Sequence, residues 1–519
     1  MENSLVRLIL IFTFSFFCCF DQIVIAQDIE LELLKDIEAG EDGSFVSRFN
    51  DQFYPLQDIL LFVASTAEKG IELWRTDGTT DGTFILMDIN PGEASSLVSE
   101  VTIVGEMAYF YADDGVHGFE LWITDGFEEG TRMVKDINPG MANGYRYNSS
   151  LRNNAQVVFQ DKMYFAMDSE TGFNELWVTD GTEEGTQFVQ TVCPNCSETN
   201  QSFNHLIVLD SFMYFVTGLD FWKSDGTTEG TVEEDLGLPT FLGKPTVIDS
   251  LMIWPNDFSG IWISDGTIEN TVEINSNLRD LSDFTEFNGD LYFTAAGSKL
   301  YRLELDSFTI TQPFEGPVLS NSLFVFADKL FFGSSARLQS TDGSFDDLVE
   351  EIIISTELSA IVTEKQAFFL GRNSDGFEVV MIREINGDYS YVDNPEWQGY
   401  EPTNLALLND KMILYANDRS GPGWEPHMFS VESTVSSNAT QNWNEISLSP
   451  NPATNHLKIE GKFDQNGTEY SIWDLQGNMI STGIMGRTTI DIGGVPPGKY
   501  ILLIQQLKSR RFGKFVKFN

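Results

Sequence analysis

The chain has 519 residues, 42% of them hydrophobic and 13% aromatic, so it has enough apolar side chains for a folded core and is not a disordered protein. Its formal net charge of −47 comes from 78 acidic and 31 basic residues, and a surface this acidic repels phosphate backbones and anionic lipid. Composition and charge therefore argue against nucleic-acid binding, while 41 phenylalanines and 43 glycines favour β structure.

The N-terminus has the pattern of a signal peptide. Arg7 supplies the positive charge, residues 8–20 are apolar, and residues 24–26 are small or modest in size before a predicted cut ahead of Gln27. A retained membrane anchor is the alternative, but the apolar stretch is short for a span and ends at Asp21. We predict that residues 1–26 are removed on export and that no transmembrane segment remains.

Removal of the signal leaves two cysteines, Cys193 and Cys196, in the sequence CPNC. Such a pair is compatible with a redox motif, half a zinc site or a local disulfide. An exported chain without a second cysteine pair favours a disulfide that closes a small loop.

One twelve-residue pattern recurs along the chain. ELWRTDGTTDGT begins at Glu72, ELWITDGFEEGT at Glu120 and ELWVTDGTEEGT at Glu175, and weaker copies begin at Asp220 and Gly260. The tryptophans of successive copies are 40 to 55 residues apart. A period of this length indicates a solenoid or a propeller.

Strand-like segments accompany each copy and continue after the tryptophan is lost. They form nine units, from ILLFVAS to MILYAND, and the second unit shows four strands in the order SEVTIVG, MAYFYAD, FELWITD and TRMVKDI, called a to d. Four antiparallel strands repeated around an axis predict an all-β fold, a β-propeller of about nine four-stranded blades, with eight as the alternative.

The start of the mature chain provides a candidate for closing the ring. Residues 33–47, LLKDIEAGEDGSFVS, parallel residues 85–99, ILMDINPGEASSLVS, which contain a strand d, and the ninth unit has no strand d of its own. We expect the N-terminal strand to be the outer strand of the last blade, because this pairing removes an open sheet edge.

The copies resemble the ELWxxDGT repeats of bacterial cell-surface proteins. We predict a repeat domain at residues 27–431, and the resemblance covers about residues 33–431 of it, strongly in the first three copies and weakly after Thr271. It implies a propeller-like arrangement at the cell surface. It does not imply an enzymatic activity.

A second module follows a polar linker at residues 432–443. Residues 444–519 alternate short strands with glycine and proline turns, which predicts a small Ig-like β-sandwich. This module resembles the type A C-terminal sorting domain of the type IX secretion system of Bacteroidota, and the matching positions are Pro450, Asn451, Pro452, Gly477, Gly498 and Tyr500. The resemblance implies that the partners are the type IX secretion machinery and its sortase-like peptidase, and that the product is secreted to the outer-membrane surface or the extracellular space.

Residues with catalytic potential are few. The four histidines form no metal-binding pair, and neither a G-x-S-x-G sequence nor a phosphate-binding glycine loop occurs. We therefore predict no catalytic residues, no metal ligands and no cofactor. The recurrent Asp-Gly pairs are interpreted as turns between strands c and d; they are Asp77 and Gly78, Asp125 and Gly126, Asp180 and Gly181, Asp225 and Gly226, and Asp265 and Gly266. A structural calcium ion at Asp77 and Asp81 is the alternative.

Topology predicts where a ligand binds. In a four-stranded blade the d-to-a and b-to-c connections emerge on one face, and the long, variable connections of this chain belong to that set. Tyr145, Tyr147 and Trp424 are the candidate stacking residues there. We expect a non-catalytic surface protein that binds an unknown extracellular glycan or protein in adhesion. The alternative is a polysaccharide-active hydrolase or lyase with carboxylates at the channel mouth.

Overall fold

The computed structural model describes residues 25–27, 31–39, 43–46, 52–139, 155–169, 172–192, 203–217, 220–239, 243–248, 250–256, 260–275, 278–320, 322–354, 360–372, 377–392, 402–417, 423–431, 444–445, 448–449, 456–459, 469–474, 479–484, 489–492, 494–496, 498–506 and 509–517. The chain divides into two compact units, Met1–Glu432 and Ser433–Asn519. The predicted disulfide pair Cys193 and Cys196 lies outside the described residues.

The described part of the first unit forms nine blades, which confirms the predicted number. Two strands precede the first blade, β1 (Ile25–Gln27) and β2 (Glu32–Leu33). Blades one to three consist of β3 (Tyr54–Leu56), β4 (Ile59–Thr66), β5 (Gly70–Thr76) and β6 (Phe84–Ile85); β7 (Ser99–Val104), β8 (Met107–Asp113), β9 (Phe119–Thr124) and β10 (Arg132–Lys135); and β11 (Gln156–Phe159), β12 (Lys162–Ser169), β13 (Gly172–Thr179) and β14 (Gln187–Thr191).

Blades four to six consist of β15 (Phe203–Leu209), β16 (Phe212–Thr217), β17 (Asp220–Ser224) and β18 (Val232–Glu233); β19 (Thr246–Ile248), β20 (Leu251–Asn256), β21 (Gly260–Ser264) and β22 (Val272–Asn275); and β23 (Ser282–Phe287), β24 (Asp290–Ala295), β25 (Lys299–Glu304) and β26 (Thr309–Phe314). Blades seven to nine consist of β27 (Phe324–Phe326), β28 (Lys329–Ser334), β29 (Arg337–Thr341) and β30 (Val349–Ile353); β31 (Ala360–Val362), β32 (Gln366–Arg372), β33 (Glu378–Glu384) and β34 (Tyr389–Val392); and β35 (Thr403–Leu408), β36 (Lys411–Asn417) and β37 (Trp424–Ser430). Single turns of 3₁₀ helix occur at Glu128–Gly130 and Phe345–Asp347.

The middle strands are apolar on both sides because each sheet lies between two others. In β8, Phe110 packs into the core shared with blade one, and its neighbour Tyr111 packs into the core shared with blade three. In β5, Leu73 likewise packs toward blade two, while Trp74 packs toward blade nine. Alternation along a strand thus supplies side chains to two adjoining cores at once.

Blade nine packs on blade one and completes the ring. Tyr415 lies in one cluster with Phe62 and Trp74 of blade one, and its hydroxyl donates to the carbonyl oxygen of Val63 at 3.3 Å. A second cluster joins Leu60 to Ile413. These cores bury the side of blade one that would otherwise be open.

Both N-terminal strands join the outer edges of late blades. β2 pairs antiparallel with β37, placing Glu32 opposite Met428 and Leu33 opposite His427. β1 pairs in parallel with β34, so blade eight has five strands where four are predicted. β1 spans the predicted signal-peptide cut before Gln27, and removal of residues 1–26 would leave only Gln27 of this strand.

The second unit contains two sheets in its described residues. A five-stranded sheet has the order β38 (Asn444–Glu445), β45 (Ser509–Lys517), β44 (Gly498–Gln506), β41 (Glu469–Asp474) and β42 (Met479–Ile484), and a three-stranded sheet has the order β39 (Leu448–Ser449), β40 (His456–Ile459) and β43 (Thr489–Asp491). Tyr500 is buried, and its hydroxyl donates to the carbonyl oxygen of Pro496 at 2.9 Å. Gly498 begins β44, while Pro450, Asn451, Pro452 and Gly477 lie outside the described residues.

Candidate functional site: the loop face and the residues that hold it

Every blade has two ends of different character. We call the end with the b-to-c and d-to-a connections the loop face, and the end with the a-to-b and c-to-d turns the corner face. The loop-face connections differ in length and sequence from blade to blade. On the corner face the a-to-b turns have two or three residues, and the c-to-d turns repeat one pattern in blades one to five. The two faces therefore separate the variable parts of the ring from the repeated ones.

A buried glutamate at the start of strand c holds the loop face in three blades. Glu72 of blade one is fully buried, and its carboxylate accepts from the backbone N–H groups of Ile89 and Asn90 at 3.2 and 3.4 Å. It also accepts from the N–H and the hydroxyl of Ser96 at 3.0 and 2.6 Å. All four donors belong to the connection between blades one and two, so one side chain fixes the path of that loop.

The same contact recurs in blade two. Glu120 is fully buried, and its carboxylate accepts from the N–H groups of Ile137 and Asn138 at 3.2 and 3.1 Å. The corresponding Glu175 of blade three is also buried and accepts from the indole N–H of Trp177 at 3.1 Å. Residues 193–202, which belong to the connection that follows blade three, lie outside the described residues.

Blade nine has the same contact, but the loop it holds is the N-terminal segment. Glu425 is fully buried, and its carboxylate accepts from the N–H groups of Ile37 and Glu38, both at 3.1 Å, and from the hydroxyl of Ser44 at 2.6 Å. We call Glu72, Glu120 and Glu425 the glutamate clamps. Each clamp joins a middle strand to the connection that follows the outer strand of its blade.

Burial makes the ionised form of each clamp costly. Desolvation raises the pKa of Glu72 and of Glu425 to about 7 and that of Glu120 to about 8, although the donated hydrogen bonds act in the opposite direction. In an unfolded chain these carboxyls titrate near 4.5. Between these values the folded chain retains protons that the unfolded chain has released.

We expect the propeller to lose stability as the pH rises from 5 to 8. The raised pKa values of the clamps give a contribution that is complete below about pH 4.5 and disappears as the pH passes through 7 to 8. The lowered pKa values of Asp180, Asp225 and Asp265 affect only more acidic solutions. The measurement is the apparent melting temperature at constant scan rate and high, constant ionic strength, which screens the net charge.

The matched control replaces all three clamps with glutamine, which does not titrate. This variant should be less stable at pH 5 but should have a flatter dependence of melting temperature on pH. An unchanged slope in the triple variant would show that other groups cause the effect.

The predicted stacking residues are only partly described. Trp424 begins β37 at the loop face, where it is half-buried and stacks on Phe45 with ring centroids 5.4 Å apart. Its indole therefore supports the N-terminal segment and offers only its remaining edge to a ligand. Tyr145 and Tyr147 lie outside the described residues, in the connection between blades two and three.

The Asp-Gly pairs lie on the corner face, one per blade, and are not gathered into one site. In blade one the carboxylate of Asp77 accepts from the N–H and the hydroxyl of Thr79 at 2.9 and 2.6 Å, and the N–H of Gly78 donates to the hydroxyl of Thr76 at 3.0 Å. Blades three, four and five repeat the aspartate contacts, made by Asp180, Asp225 and Asp265. In blade two Asp125 accepts from the N–H of Phe127 at 3.0 Å. The glycine of each Asp-Gly pair has a positive φ, which is 79° at Gly78, 90° at Gly126 and Gly181, 93° at Gly226 and 87° at Gly266.

The corner turns also connect neighbouring blades. The guanidinium of Arg75 in blade one donates to the carbonyl oxygen of Gly126 at 2.8 Å, and that of Arg132 in blade two donates to Gly181 at 2.6 Å. The ammonium of Lys411 in blade nine donates to the carbonyl oxygen of Gly78 in blade one. The turn of one blade is thus an acceptor for a cation of the preceding blade, which the repeat pattern alone does not reveal.

No cluster of three or more His, Cys, Asp or Glu side chains suitable for a metal ion occurs among the described residues. The described residues also contain no helix long and apolar enough to cross a membrane.

Sequence reasoning missed the glutamate clamps. Glu72, Glu120 and Glu175 open the three best copies of the motif, and Glu425 occupies the same place in the ninth unit. The partner segments share an Asp-Ile pair followed by Asn or Glu, at residues 88–90, 136–138 and 36–38. Because the glutamate and the Asp-Ile pair recur together, the two patterns indicate a contact between strand c and the connection that follows strand d.

Residues 447–517 match a known family, the secretion system C-terminal sorting domain. Such a domain directs export through the type IX secretion system, so this chain is exported to the cell surface or the extracellular space. No curated protein matches the chain.

Several solved structures are similar to the chain at low identity. The computationally designed protein Ika8 is 10% identical and covers 77% of this chain and 100% of its own, with a TM-score of 0.41. BamB from Moraxella catarrhalis is 12% identical and covers 64% of this chain and 94% of its own, with a TM-score of 0.36. PorZ, a surface component of the type IX secretion system of Porphyromonas gingivalis, is 12% identical and covers 96% of this chain and 86% of its own, with a TM-score of 0.21. At these scores none of them indicates what this chain binds.

Proposed function

We propose that this exported protein is a non-catalytic β-propeller that acts in adhesion by binding an extracellular glycan or protein through its loop face. The observation that supports the proposal is that the recurrent polar residues form hydrogen bonds inside the propeller. The glutamate clamps and the corner-turn aspartates are occupied by hydrogen bonds within the ring. The repeated residues therefore build a rigid support, and the connections that differ between blades are the parts it presents.

The clamps connect this support to the binding face. Because Glu72 and Glu120 hold the connections after blades one and two largely through backbone N–H groups, most loop side chains are not needed for this contact. Side chains in these connections are then free to vary with the ligand. This arrangement suits recognition, in which a fixed scaffold carries changeable contacts.

The proposal includes closure of the ring by the N-terminal strand. β2 supplies the outer strand of blade nine, and Glu425 holds the segment that follows it. A closed ring keeps the connections of blades nine and one at fixed positions relative to each other. We also assign the second unit an Ig-like sandwich built from its two sheets.

We expect the full-length protein, purified from a host with a type IX secretion system, to bind a restricted set of ligands on a glycan array or a panel of surface proteins. Replacement of residues 141–153 with a Gly/Ser segment of equal length should weaken that binding at least tenfold, a loss of about 1.4 kcal/mol. The matched control is Ile268→Ala, an exposed change on the corner face, which should leave binding unchanged.

A hydrolysis assay on the bound glycans tests the enzymatic alternative. Product formation that disappears on substitution of one Asp or Glu would replace the binding proposal with a catalytic one.

A further inference from the structure

We propose that the propeller is tethered through its corner face, so that its loop face points away from the surface that carries the protein. This inference rests on surface display, which is part of the proposed function, but not on the identity of the ligand. It follows from the places where the chain leaves and enters the ring.

The chain leaves the propeller at the corner face. β37 runs from Trp424 at the loop face to Ser430 at the corner face, since it is strand c of blade nine. The next residue, Val431, is buried, and its N–H donates at 2.8 Å to the carbonyl oxygen of Asp410 in the a-to-b turn of the same blade. The end of the ring is therefore fixed on the corner face, and the sorting domain follows it in the chain.

The N-terminal strand enters at the same face. β2 is antiparallel to β37, and the N–H of Leu34 donates to the carbonyl oxygen of Pro426 at 3.0 Å, farther toward the loop face. Leu31, which precedes β2, is buried at the corner-face end. β2 thus begins at the same face at which β37 ends, opposite the loop face.

The two faces are well separated. Seven residues of β37, with a rise of about 3.3 Å each, separate the faces by roughly 20 Å. Val431 lies at the corner-face end of this distance, so the chain that follows it starts from the corner face.

The orientation defines the kind of partner that fits. A loop face directed outward is accessible to a large polymer, such as a polysaccharide or a protein on another surface. The membrane that carries the protein lies on the opposite side of the ring. We therefore infer a macromolecular partner in the surroundings of the cell.

Two cysteine probes in one blade test the orientation. Val116→Cys lies on the loop face and Phe127→Cys on the corner face, and the two native side chains are 61% and 56% exposed. Ile268→Cys, where the native side chain is 52% exposed, is a second corner-face probe. Intact cells displaying the full chain are treated with a maleimide carrying a large polymer, and the wild type reports background labelling of its own cysteines.

On cells we expect the polymer to label Val116→Cys several-fold faster than either corner-face probe. The same protein released from the cells should be labelled equally at all three positions. Equal labelling on cells, faster labelling at the corner face, or recovery of the protein only from the medium would overturn the proposal. Failure to find a ligand would count against the proposed function and leave this result intact.

Discussion

Glu425→Ala should detach the N-terminal segment from blade nine and reduce the stability of the ring by about 3–6 kcal/mol. The substitution leaves the N–H groups of Ile37 and Glu38 and the hydroxyl of Ser44 without their acceptor, in a place where the native carboxylate is fully buried. Each buried donor that loses its partner costs about 1–3 kcal/mol. The measurements are the apparent melting temperature and the rate of proteolysis within residues 27–46.

Two variants separate the detachment from a general loss of stability. Glu72→Ala removes the same kind of clamp in blade one, but the loop it frees is continuous with the chain at both ends. Its melting temperature should also fall, yet the N-terminal segment should be cut no faster than in the wild type. Glu425→Gln keeps one acceptor oxygen and should lie between the wild type and alanine. Wild-type proteolysis in Glu425→Ala would show that the strand pairing of β2 alone holds the segment.

The number of blades could be predicted from the sequence because it depends on local periodicity. Each blade repeats an apolar b strand and an apolar c strand, and the alternation of Leu73 and Trp74 indicates a core on both sides of the sheet. These signals lie within a few residues of one another. They persist in the later blades, where the tryptophan is lost.

The contacts that hold the loop face could not be predicted in the same way. The Glu425 carboxylate and the N–H of Ile37 are separated by 388 residues in the chain, and Arg75 reaches Gly126 across a blade boundary. Periodicity indicates which residues share a position in their blades but not which side chains cross between segments. A conspicuous motif such as TDGT therefore attracts a ligand hypothesis, while Glu72, four residues before the first threonine of the first copy, is overlooked.

Gly70→Ala should reduce stability by about 3–4 kcal/mol, because no side chain fits where two loop-face connections touch. Gly70 begins β5 with φ of 65°, and an added Cβ would lie 2.3 Å from the carbonyl oxygen of Ala94 and 2.9 Å from the hydroxyl of Ser95. The carbonyl belongs to the backbone and cannot rotate away. One connection has to move, which strains the bond from the N–H of Ser96 to the carbonyl oxygen of Ile71, now 3.1 Å.

Gly105→Ala is the matched control for backbone strain. Gly105 has φ of 60°, nearly the same as Gly70, but an added Cβ there meets nothing within 4 Å. Its substitution should cost only the left-handed strain of about 1 kcal/mol. The additional fall in melting temperature in Gly70→Ala then measures the steric cost of the contact with Ala94 and Ser95. Equal losses in both variants would mean that the backbone angle alone matters, and that the loop face tolerates movement at Ala94.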